Sequence, residues 1–179
     1  MIAHNSDALS QPTPIHVAPD FEHEYPGSSR LASECMINIG VTWFTAEPVF
    51  NRMLETYRLS GTGFNVLEIL RGARQPLQPS AIADHMLITR GGMTKALDVL
   101  EKLDYVRRMP HPSDRRMLLV EITDTGTRIM NELLARLHAA EREWFDMLTQ
   151  AEQQTFIELM GRVQARFRQL QHSFKPWPS

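Results

Sequence analysis

The chain has 179 residues, 42% of them apolar, which suits one domain, or one domain with an extension, and is enough to bury a core. Its formal charge is -2 and its single cysteine, Cys35, excludes an intrachain disulfide and an all-cysteine metal site. No apolar run approaches the ~18–20 residues that span a bilayer, and Met1 to Ser10 lack the basic and apolar regions of a secretory signal, so a cytoplasmic protein without membrane attachment is expected.

Residues 1–29 carry Pro12, Pro14, Pro19 and Pro26 and no apolar period, and read as a flexible arm, with partial order around Phe21 and Tyr25 as the alternative. A helical pattern follows over 30–58 (Leu31, Cys35, Met36, Ile39, Trp43, Phe44, Phe50, Met53, Leu54), which Pro48 should kink or interrupt. Ser60 or Thr62 can cap a second helix carrying Phe64, Val66, Leu67, Ile69 and Leu70. Gly72, Pro76 and Pro79 mark a breaker segment, and Ser80 to Met86 form a short third helix.

Thr89 caps a fourth helix whose apolar stripe is Met93, Ala96, Leu97, Leu100 and Leu103. Tyr105 to Met109 and Arg116 to Ile122 read as two strands joined by a turn at His111 to Asp114, where Pro110 and Pro112 stop the ladder. Thr123 caps a long helix, and Thr149 with Glu152 forms a capping box for the last one. Residues 173–179, with two prolines, form a tail.

Charge becomes informative once divided by region. Residues 1–30 net -3, so the rest nets +1, and residues 90–116 hold seven cations against four anions. Local field rather than total charge steers phosphate binding. A short helix, a turn, an amphipathic helix and a basic hairpin, in that order, make a winged helix-turn-helix, so the fold class is mainly α with a small β-hairpin wing. The fourth helix buries its stripe and leaves Arg90, Gly91, Thr94, Lys95 and Asp98 outward, mostly near the end whose dipole favours phosphate. Gly91 and Gly92 fit either a frayed first turn or close approach of backbone to a DNA strand. The wing adds Arg107, Arg108, Arg115 and Arg116, whose guanidinium groups suit phosphates and narrow minor grooves, with surface salt bridges as the competing role.

The runs Gly63-Phe64-Asn65-Val66-Leu67, Pro79-Ser80-Ala81-Ile82-Ala83, Thr89-Arg90-Gly91-Gly92-Met93-Thr94-Lys95 and Val106 to Arg116, followed by Ile122-Thr123-Asp124-Thr125-Gly126, resemble the MarR family of regulators over roughly Arg30 to Leu170. The Gly-Gly-Met-Thr run and His138 near Glu141 are similar to the branch with urate-responsive and PecS-like members. The resemblance implies a homodimer held by residues 30–58 and 123–172 around a DNA-binding lobe at 59–122. It also implies a small, often aromatic anionic effector bound between the dimer helices and that lobe. Three features depart from the family pattern: Asp104 where glycine is usual, the long arm, and Pro48.

The expected DNA-contacting set is Ser80, Thr89, Arg90, Gly91, Thr94, Lys95, Arg107, Arg108, His111, Arg115 and Arg116, with Asp114 structuring the wing. Trp43, Phe44, Arg71 and His85 are the effector candidates, Trp43 doubling as core or dimer interface. Cys35 is a redox candidate set against a buried, inert position. His16, Glu22, His23 and Glu24 lack the compact spacing of a metal site, and no cofactor motif or catalytic constellation is present. The expected function is a double-stranded DNA-binding regulator, a repressor relieved by an effector and reading a palindromic operator. The alternatives are a redox regulator acting through Cys35 and a winged-helix protein-interaction module without DNA binding.

Overall fold

The computed structural model describes residues 14–86, 90–114 and 117–173. The chain forms two compact units that divide after Gly126.

In the first unit a short helix, α1 (Phe21–Glu24), precedes α2 (Arg30–Glu55). Ser29 caps α2 through its hydroxyl, which accepts from the Ala32 N–H at 3.4 Å. Contrary to one expectation, α2 runs unbroken through Pro48. Proline forfeits a single helix bond, whose acceptor would be the carbonyl of Phe44 four residues earlier, on an exposed stretch that water can solvate. The described half of the arm is also anchored rather than free. The Asn38 side chain accepts from Ile15 N and donates to Ile15 O, both at 2.8 Å. Glu34 accepts from Val17 N at 3.2 Å and lies 3.1 Å from His16 Nδ1.

The lobe follows: α3 (Gly61–Ala73), α4 (Pro79–Met86), α5 (Arg90–Lys102), β1 (Val106–Pro110) and β2 (Leu118–Ile122). Of the two cap candidates, Ser60 is the one used, accepting from Gly63 N at 3.1 Å. The core joins Leu54 of α2 to Val66, Leu67 and Leu70 of α3, Ile82 of α4, and Met93, Leu97 and Leu100 of α5, all almost fully buried. This is the apolar stripe read from the spacing of α5, and its burial turns the opposite face of that helix outward. The strands pair antiparallel, with Val106 opposite Ile122 and Arg107 opposite Glu121. Leu77, in the breaker segment, adds a one-residue bridge through two backbone hydrogen bonds with Val120. Tyr105 ties the sheet to the end of α2 by donating its hydroxyl to Tyr57 O at 3.1 Å.

Asp104 adopts the left-handed region, φ 56, at the turn from α5 into β1, where glycine would be unstrained. Thr125 compensates by donating its hydroxyl to the Asp104 carboxylate at 3.0 Å. Thr123 caps α6 (Asp124–Trp144) by accepting from Gly126 N at 3.0 Å. Gly126 has no room for a side chain, since a Cβ there would lie 2.2 Å from the Tyr105 carbonyl oxygen.

The second unit consists of the rest of α6 and α7 (Gln150–Ser173). The capping box forms as read: Thr149 N donates to Glu152 at 2.8 Å and Glu152 N to Thr149 Oγ1 at 3.3 Å. The two hydrogen bonds from Thr149 hold the Glu152 carboxyl below the usual range. Phe145, just past the end of α6, and Phe156 of α7 lie with ring centroids 6.4 Å apart. No helix among the described residues is long and apolar enough to cross a membrane.

Candidate nucleic-acid interface

The outward face of α5 is set by what its inward face buries. With Met93, Leu97 and Leu100 inside, Gly91, Thr94 and Lys95 are exposed. Arg90 is the first residue of the helix. Ser80 is exposed in the first turn of α4. These residues share the α4–α5 part of the lobe, while Thr89, Arg115 and Arg116 lie outside the described residues.

The wing divides its cations by role. Arg108 is 22% exposed and acts as a clamp. Its two terminal nitrogens each reach a carboxylate of α5 at 2.7 Å, Asp98 through one and Glu101 through the other. Its backbone N–H also donates to Glu101, at 3.3 Å. Asp98, which sequence spacing places on the DNA-facing side, is thus engaged by a wing cation rather than left as a bare negative charge facing phosphate. Arg107, 67% exposed, pairs with Glu121 directly across the hairpin. At the tip, the carbonyl of Asp114 accepts from Met117 N at 2.9 Å, and His111 N donates to Met117 O at 2.9 Å. The His111 ring is taken up by Ser113, whose backbone N–H reaches its Nδ1 at 3.2 Å. Asp114 and His111 therefore both shape the tip.

The other candidates stand on α2, α3 and α4. Trp43 and Phe44 are 58% and 74% exposed on α2, so Trp43 is not a core residue of the protomer. Arg71, in the last turn of α3, is 3.8 Å from Glu68, and His85 is exposed in the last turn of α4. Cys35 is exposed on α2, not buried as the inert reading expects. Spacing gave no sign of a groove of about 520 Å³ beside the reading helix. Leu59, Ala96 and Val99 line it, together with Arg58, Lys95 and Glu55. Its lining comes from two stretches distant in sequence, 55–63 and 92–100, which one-dimensional periodicity does not bring together.

Residues 59–117 match the sequence pattern of the MarR family. The chain is 31% identical over 116 residues to the HTH-type transcriptional regulator PecS of Dickeya dadantii, covering 64% of this chain and 70% of that one. It is 34% identical over 115 residues to the HTH-type transcriptional regulator MhqR of Bacillus subtilis, covering 63% and 77%. A crystal structure of a mutant MarR from E. coli complexed with operator DNA superposes with a TM-score of 0.66 at 23% identity, over 82% of this chain and 99% of that chain. At that identity the likeness shows the winged helix-turn-helix fold alone.

Proposed function

This chain belongs to the MarR family and is a DNA-binding transcriptional regulator, and we propose that it is a cytoplasmic homodimeric repressor that a small aromatic or anionic effector releases from DNA. The observation that carries the reading is the exposed face of α5, where Thr94 and Lys95 stand clear of a buried stripe while Arg108 holds the wing against the same helix. On this reading Arg90, Thr94 and Lys95 enter the major groove, with Ser80 and Gly91 against the backbone, and Arg115 or Arg116 probes the minor groove. Arg107 flanks the duplex, and Arg108, His111 and Asp114 set the angle of the wing. Large apolar residues exposed on α2 (Leu31, Phe44) and on α7 (Ile157, Leu159) support a partner subunit, because a monomer gains nothing by leaving them in water. The groove beside Lys95 supports effector relief. An anion with an apolar body seated there would compete with phosphate for the same ammonium group.

The test is a mobility-shift titration on DNA upstream of the chain's own gene, at several salt concentrations. Lys95→Ala is expected to weaken binding and to lower the slope of log affinity against log salt by about 0.9, the value for one phosphate contact. An unchanged slope removes Lys95 from the interface, and an absence of retarded DNA at any salt concentration overturns the reading.

A further inference from the structure

The arm and α2 form a groove of about 500 Å³, within the size range of small-molecule sites, and its lining comes from the arm and α2 alone. Val17 and Phe21 line it from the arm, and Ala32, Met36 and Ile37 from α2. No charged side chain is among its walls. Three serines, Ser28, Ser29 and Ser33, complete it. Ser29 is occupied in capping α2. The hydroxyl of Ser28 is buried and has no hydrogen-bond partner. Folded proteins rarely leave a buried polar group unsatisfied, because it has given up water for nothing.

The groove is fixed at both ends. Asn38 grips the backbone of Ile15 in both directions, and Glu34 holds His16 and Val17. At the other end Gly27 takes φ 88, a turn open to glycine, just before Ser28. The Glu22 carboxylate accepts from Arg30 N at 2.8 Å, binding α1 to the start of α2. The polar side chains at 34 and 38, one helical turn apart, thus hold the arm beside an open apolar groove whose lining includes the orphan hydroxyl of Ser28.

We propose that this groove is a small-molecule site, separate from the DNA-reading lobe, for an uncharged and mainly apolar compound carrying one hydrogen-bonding oxygen, of the phenol or alcohol class. The apolar walls favour a flat hydrocarbon body, and the unpartnered hydroxyl of Ser28 supplies a polar contact that orients it. The absence of a charged wall selects against ions, which would lose water without gaining a partner. The proposal is independent of the repressor reading and does not require the chain to bind DNA.

The test uses the full chain and two probes of one shape, 1-naphthol and 1-naphthoate, followed by calorimetry at neutral pH. Naphthol is expected to bind at least tenfold tighter than naphthoate. Ser28→Ala should weaken naphthol about fivefold, the share of one neutral hydrogen bond. Ala32→Trp, which fills the channel from the α2 side, should abolish binding while the thermal melt stays cooperative. Should that variant not fold, protection of the parent chain is the second readout: bound naphthol must slow chymotryptic cleavage at Phe21 and Tyr25. Equal affinity for the two probes, no naphthol binding, unaltered binding in both variants, or unprotected cleavage would each overturn the proposal.

Discussion

Replacing Arg108 with glutamine separates a positioning role from a direct phosphate contact. The guanidinium makes two ion pairs at 2.7 Å with partners that are themselves 49% and 41% exposed. Exposed pairs contribute ~0.2–1 kcal/mol each, and shared hydrogen-bonded geometry places these toward the upper end, so the clamp is worth about 1–2 kcal/mol. For a chain of this length that amounts to a fall in Tm of roughly 2–8 °C. Scanning calorimetry should show that fall at low salt and a smaller one in 1 M salt, where the Debye length shrinks to about 3 Å. Affinity for DNA should also fall, because the wing loses its fixed angle. The slope of log affinity against log salt should hold its value, because no phosphate contact is lost. An unaltered Tm combined with a slope lowered by about 0.9 would refute the clamp and make Arg108 a phosphate ligand.

Two further substitutions test the frame behind the site. Gly126→Ala drives a Cβ into the Tyr105 carbonyl and to 2.9 Å from Ile122 Cγ1, so a loss of about 3 kcal/mol is expected in denaturant melts. Gly72→Ala, with nothing within 4 Å, should instead gain up to about 1 kcal/mol. Glu34→Gln probes the arm clasp through pH. The hydrogen bond with His16, above all, holds the Glu34 carboxyl below its ordinary value of 4.5, against the opposing effect of burial. A depressed carboxyl stabilises the fold above the unfolded value and loses that contribution as pH falls through the folded one. The parent chain should therefore out-melt Glu34→Gln at pH 7 and converge with it once pH has fallen below the lowered folded value, and a gap that persists in strong acid would exclude the ionised clasp.

The lobe was legible because its signals are local. A stripe at helical spacing puts Met93, Leu97 and Leu100 inside, and cap chemistry fixes the starts of α3, α6 and α7 at Ser60, Thr123 and Thr149. The left-handed turn at Asp104 was signalled by the family resemblance, which has glycine at that place. What escaped reading depends on partners distant in sequence. Glu34 and Asn38 look like two solvated residues on a helix until the arm crosses them, and Glu34 ends only 8% exposed. Arg108 reads as one of four wing cations, and only the fold brings Asp98 and Glu101 to it. The bridge at Leu77 is one residue long and has no period to detect. The interruption expected at Pro48 did not occur, because the cost of a missing donor depends on whether water reaches the freed carbonyl.

Selection of bound duplexes from a random pool, followed by footprinting of the full chain on the winners, tests most directly whether paired reading heads grip DNA. The expected result is an inverted repeat whose two protected half-sites lie about one helical turn, roughly 10 base pairs, apart, occupied by two chains together. A pool that never enriches, or a single half-site filled by one chain, would contradict it.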